Sequence, residues 1–83
     1  MDQNIFQKVA TMIAGQLSMD ISQITENSAL RTDLGADSLD LAEIALMIKE
    51  QFLYDLSDDE MRKINTVGDI CEILTTVSVK KEI

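Results

Sequence analysis

Apolar residues recur four apart at Ile5, Val9, Ile13 and Leu17, with Phe6 and Met12 beside them. That spacing lines up one apolar stripe and predicts an amphipathic helix over about residues 3–16. Gly15, Ser18 and Asp20 weaken its end. Residues 18–36 then form a long connection, which in a small chain is either functional or disordered. Ile21, Ile24, Leu30 and Leu34 within it predict an ordered loop pinned onto the core.

A second helix is predicted from Ser38 to Phe52, with Asp37 as its N-cap. Ser57-Asp58-Asp59-Glu60 reads as a capping box that opens a short helix ending near Ile64. Thr66-Val67-Gly68-Asp69 reads as a weaker cap. Val67, Ile70, Leu74 and Val77, with Ile73 alongside, mark a last helix facing the core. Lys80-Lys81-Glu82-Ile83 is expected to be a frayed tail. No strand pair and no repeat is evident. The fold expected is an all-α four-helix bundle, with a long loop between helices one and two and a short third helix.

The second helix has more apolar residues than one face can hold. At about 100° per residue, Leu41, Ile44, Ala45, Ile48 and Phe52 share one side. Leu39, Ala42, Leu46 and Leu53 fall nearly opposite, bordered by Asp40, Glu43, Glu50 and Met47. A helix buried on two sides would explain this, but a small core offers few partners for a second face. A docking surface explains it better: apolar contacts supply affinity, carboxylates orient a basic partner, and Met47 adapts to several.

Composition narrows the function. The 83 residues are expected to form one domain, with a formal net charge of −8, one cysteine and no histidine. The acidity argues against nucleic acid as a partner. One cysteine allows neither an internal disulfide nor a zinc site. No stretch approaches the ~20 apolar residues of a membrane span, and no basic segment precedes an apolar run at the start. A monomeric cytoplasmic protein is expected. Asp55-Leu56-Ser57-Asp58-Asp59 has spaced oxygens but lacks the glycine and the final glutamate of an EF-hand, so no metal site is expected.

The chemistry concentrates at Asp33-Leu34-Gly35-Ala36-Asp37-Ser38-Leu39-Asp40. Without histidine no Ser-His-Asp triad can form, and the nearest basic residue, Arg31, stays protonated. A serine that nothing in the chain can activate fits a substrate of another enzyme better than a catalyst, so no enzymatic activity is expected. Because Asp37 can cap the helix, the Ser38 hydroxyl is left to face solvent. A phosphodiester there would meet the positive end of the helix dipole. Gly35 is expected at positive φ, making the turn before the serine.

Leu34-Gly35-Ala36-Asp37-Ser38-Leu39-Asp40 resembles the prosthetic-group attachment motif of acyl carrier proteins, and the likeness runs along nearly the whole chain. The resemblance implies that Ser38 bears 4′-phosphopantetheine, whose thiol holds acyl groups as thioesters for fatty-acid or related polyketide-type and specialised biosynthetic enzymes. It implies a phosphopantetheinyl transferase as one partner, and acyl-transferring and chain-extending enzymes with basic docking patches as others. It assigns recognition to Asp37, Leu39, Asp40, Glu43, Leu46 and Glu50, to which the helix-wheel reading adds Met47. Ile44, Ile48 and Phe52 match positions lining the family's acyl-chain cleft. Lys49, Ala42, Ser57 and Tyr54 depart from the pattern of primary fatty-acid carriers. The alternatives are an aminoacyl carrier, peptidyl or D-alanyl, and an unmodified acidic helical adaptor for which Ser38 is dispensable.

Overall fold

The computed structural model describes residues 3–81, with side chains over residues 4–76. Four α-helices follow in order: α1 (Gln3–Leu17), α2 (Ser38–Phe52), α3 (Asp58–Lys63) and α4 (Val67–Lys81). α1 packs against both α2 and α4. Its inward residues Val9 and Ile13 meet Ile44 and Ile48 of α2 and Ile70 and Leu74 of α4 in one core, all within 2% of complete burial. Burying an aliphatic side chain of this size stabilises by about 1.5–3 kcal/mol relative to leaving it in water, so these residues hold the bundle.

α1 runs through Gly15 and ends within one residue of the expected bound. It continues to Leu17 and closes where Ser18 takes φ 55° and the Met19 N–H donates to the Ala14 carbonyl at 3.0 Å. This is a left-handed closure of the helix end with serine in the place usually held by glycine. α4 likewise runs further than the sequence reading, through Lys80 and Lys81, while Glu82 and Ile83 lie outside the described residues.

The long connection is ordered by specific bonds. It contains a 3-10 turn, Ile21–Gln23, capped by the Asp20 carboxylate accepting from the Ser22 N–H. Ile24 and Leu30 are buried as expected and Leu34 is half-buried, but Ile21 is 40% exposed because it opens that turn at the surface. The loop is also sewn to the start of α4. Leu30 N–H donates to Asn65 O (2.9 Å), Val67 N–H to Ser28 O (3.1 Å) and Gly68 N–H to Glu26 O (2.8 Å). Gly68 suits this close approach, since a Cβ would stand 3.0 Å from the Glu26 carbonyl oxygen and the loop would have to give slightly. The buried Ser28 hydroxyl accepts from the Thr25 N–H at 3.0 Å, closing the turn from within. Only an isolated antiparallel bridge, Ala29 with Thr66, forms, and no strand occurs among the described residues.

Cys71 lies fully inside α4's packed face. Desolvation, aided by the charge of Glu26, pushes its thiol pKa up to about 11.

Candidate functional site

Ser38 is the first residue of α2, and the residues before it explain its freedom. Ala36 is buried, its N–H donating to Leu30 O at 2.8 Å, and Gly35 turns the chain at φ 74°. Asp37 then caps α2 in extended backbone: its carboxylate accepts from the Asp40 N–H at 2.8 Å. Asp40 answers by accepting from the Asp37 N–H at 3.2 Å, completing a reciprocal box. With capping done by Asp37, the exposed Ser38 hydroxyl makes no hydrogen bond to any described residue.

Asp40 has a further partner that the sequence did not disclose. Gln16 of α1 donates to it at 3.3 Å, tying the end of α1 to the start of α2. The bond from the Asp37 N–H, and then the one from Gln16, hold the Asp40 carboxyl below its ordinary pKa. The site therefore keeps a fixed negative charge two residues beyond the serine.

The two faces of α2 separate as the helix wheel predicts. Leu41, Ile44 and Ile48 are buried. Leu39, Leu46 and Leu53 remain 69%, 52% and 76% exposed, at intervals of two helical turns. Ala42, Glu43 and Glu50 are exposed around them. Met47 stands apart from this row: it is half-buried against the core and lines a groove on the α1 side with Lys8, Met12 and Gln16. Phe52 also turns toward α1, half-buried, with the Lys8 ammonium 5.8 Å from its ring centre.

Two spaces lie on this side of α2, and one of them adjoins the serine. An interior cavity of about 10 Å³ lies between Leu30, Leu41, Ile44, Ile48 and Ile70. That is about the size that holds one water, so the interior is closed. Phe52 does not line it. An open surface groove of about 410 Å³ begins at Ser38 and runs between α2 and α3, flanked by Arg31 and Arg62. Leu41, Ala45, Leu56 and Met61 line both spaces and form the wall between them. α3, across this groove from α2, opens with its own capping box, the Glu60 N–H donating to Ser57 Oγ at 3.1 Å. The Tyr54 hydroxyl donates to Glu60 at 2.6 Å, anchoring the turn before α3.

An exposed serine hydroxyl with no structural duty, at a helix N-terminus and at the mouth of a groove with an apolar wall, suits a covalently attached phosphopantetheine arm. Its phosphodiester would sit at the helix end and its hydrocarbon portions on the wall. Among the described residues no cluster of acidic, cysteine or histidine side chains could hold a metal ion.

Comparison with known proteins agrees. Residues 7–74 match the family model described as "Phosphopantetheine attachment site". The structure is similar to that of a thermally stable acyl carrier protein from Enterococcus faecalis, at 30% identity and TM-score 0.75, covering 89% of this chain and 94% of that one. It is equally similar to an apo doublet acyl carrier protein from prodigiosin biosynthesis, at 30% identity and TM-score 0.76, covering 89% of this chain and 36% of that one. The chain belongs to the phosphopantetheine-attachment family and is an acyl-carrier-type protein, a bearer of the covalent 4′-phosphopantetheine arm without catalytic activity of its own.

Proposed function

We propose that Ser38 is the residue that bears 4′-phosphopantetheine, and that the chain delivers acyl thioesters to enzymes of fatty-acid or related biosynthesis. The observation that carries this reading is the unpartnered, exposed Ser38 hydroxyl beside a helix cap already satisfied by Asp37. Attachment joins Ser38 Oγ to the β-phosphorus of coenzyme A, breaks the bond to the nucleotide, and releases 3′,5′-ADP. The hydroxyl proton passes to a base of the transferase. When bound, the arm supplies a terminal thiol for thioester formation.

The exposed row of Leu39, Leu46 and Ala42, with Asp37, Asp40, Glu43 and Glu50, is the surface met by the transferase and the downstream enzymes. Met47 marks its edge on the α1 side. Cargo shelters by widening the closed cavity at Ile44 and Ile48, through the wall that it shares with the Ser38 groove. Phe52, on the α1 side of α2, closes the far flank of that core. The similar structures include a carrier from prodigiosin biosynthesis, which supports an acyl thioester as the class of cargo more than any single pathway. In this reading residues 1–83 act as one monomeric carrier domain, since a net charge of −8 opposes self-association, in the cytoplasm where coenzyme A donates the arm.

Incubation with coenzyme A and a phosphopantetheinyl transferase, followed by intact-mass measurement, tests the reading. The wild type should gain one phosphopantetheine and Ser38→Ala none, while the variant melts at the wild-type temperature. Addition to the variant would overturn the assignment.

A further inference from the structure

The chain contains two arginines, Arg31 and Arg62, and both line the groove that begins at Ser38. They reach it from unrelated places. Arg31 follows Leu30, whose carbonyl accepts from the Ala36 N–H at 2.8 Å and so brings the loop alongside the attachment motif. Arg62 comes from the last turn of α3. In a protein of net charge −8 this convergence stands out, because the rest of the surroundings of Ser38 is acidic: Asp37 and Asp40 on α2, and Asp58 across the groove.

We propose that Arg31 and Arg62 are the counter-ions of the phosphodiester on Ser38, and that they lay the arm into the groove between α2 and α3. This rests on the reading of Ser38 as the attachment point. A phosphodiester adds one negative charge beside the Asp37 and Asp40 carboxylates, and the helix dipole alone offsets only part of that repulsion. Guanidinium groups present a planar fork of N–H donors that matches two phosphate oxygens at once. Arg31 makes no ion pair with any described residue. Arg62 engages Asp59 through one nitrogen, at 3.1 Å, in a pair whose side chains are 75% and 80% exposed. Such an exposed pair is weak and keeps most of its donors available for exchange.

The direction of the arm follows from the same residues. The outward side of α2 near Ser38 offers the phosphate Leu39, Glu43 and Leu46, and its one cation, Lys49, lies about three turns along the helix and pairs with Asp55 at 3.9 Å. The groove offers two cations at its margins and an apolar floor of Ala42, Ala45 and Met61 for the arm's gem-dimethyl group. Its volume of about 410 Å³ falls within the ~300–1,000 Å³ of small-molecule sites. An arm seated there would run over Leu41, Ala45 and Leu56, the wall in front of the closed cavity.

The test uses the full chain loaded with isotope-labelled phosphopantetheine and confirmed by intact mass. Phosphorus NMR reads the phosphodiester, and nuclear Overhauser contacts read where the gem-dimethyl protons lie. The wild type should show contacts to Ala45 and Met61. Arg31→Gln and Arg62→Gln together should abolish those contacts and shift the phosphorus resonance, as should raised salt in the wild type. Lys63→Gln, which removes the same charge outside this groove, should leave both in place. A wild-type arm contacting Leu39 or Leu46, or the double variant matching the wild type, or Lys63→Gln matching the double variant, would each overturn the inference. A chain that gains no arm at Ser38 overturns the attachment reading and this inference together. A loaded chain with a free arm overturns this inference alone.

Discussion

Leu46 and Ile48 stand two residues apart on α2 and their side chains are isomers, yet Ile48 is completely buried and Leu46 is 52% exposed. The difference lies in angular position around the helix. Ile48 points at the core shared with α1 and α4, whereas Leu46 shares the opposite side with Leu39 and Leu53. Single exposed leucines are ordinary, but a row of them bordered by Glu43 and Glu50 is a patch with a direction and a charge. One helix thus serves the fold on one side and keeps apolar area for an encounter on the other. The burial free energy that α2 forgoes outward, about 1.5–3 kcal/mol for each such side chain, is available to a partner that covers it.

Breaking the inner side should have the largest effect. Ile48→Ala is expected to cost about 2–5 kcal/mol of stability by leaving a cavity among packed neighbours, a large part of the ~5–15 kcal/mol a small domain possesses. Leu46→Ala should stay within about 0.5 kcal/mol of the wild type, as exposed substitutions usually do. Chemical denaturation of both variants checks this, and equal losses would dissolve the distinction between the faces.

A smaller effect is expected at the junction of the two sides. Asp37→Ala removes the cap of α2 and should cost about 0.5–2 kcal/mol, whereas Ser38→Ala should cost almost nothing. Thermal melting of the pair decides which of them holds the helix start. The outer side can be tested without touching the fold. Glu43→Lys with Glu50→Lys should slow association with the transferase severalfold at low salt and flatten its salt dependence, since exposed charges are screened beyond about 8 Å at physiological ionic strength. Stopped-flow association rates would show it; an unchanged salt response would leave these acids as solubilising charge.

The smallest effect concerns a carboxylate that serves structure. The Ser57 N–H and the Tyr54 hydroxyl lower the Glu60 pKa. The folded state therefore binds this proton less readily than the unfolded chain. Its contribution is complete above the ordinary glutamate pKa of about 4.3 and is lost as pH falls through the lower folded value. Glu60→Gln keeps a side chain able to close the capping box but removes the titration, so melting temperature should fall less steeply between roughly pH 5 and 3. Melting curves across that range test it.

What could be read without a structure was local. The Asp37 and Ser57 caps, the turn at Gly35 and the bounds of α2 each depend on residues within one turn of each other, and all stand where the pattern puts them. The two-sided character of α2 was legible because helical geometry is regular. Flank positions were not: Met47 and Phe52 turn toward α1, and a helix wheel does not say where a neighbouring helix lies. Ile21 misled because hydrophobicity alone cannot reveal that a residue opens a surface turn. The Gln16–Asp40 bond and the meeting of Arg31 with Arg62 join distant stretches of chain, and no periodicity signals them. Arginine scarcity in an acidic chain was the one available hint.

The buried sulfur of Cys71 has a consequence for the cargo. Thioesters exchange readily with any thiolate that can reach them, so a carrier with a second reactive sulfur would compete with its own arm for the acyl group. Cys71 is shut inside the bundle, and with a pKa of about 11 only about one molecule in 10⁴ would be ionised near pH 7. Acyl transfer onto the polypeptide itself is thereby suppressed, as is alkylation or oxidation of the chain under conditions that modify the pantetheine thiol. The arm's thiol is then the single competent sulfur nucleophile, and an acyl group placed on it has no thiolate of the polypeptide to migrate to.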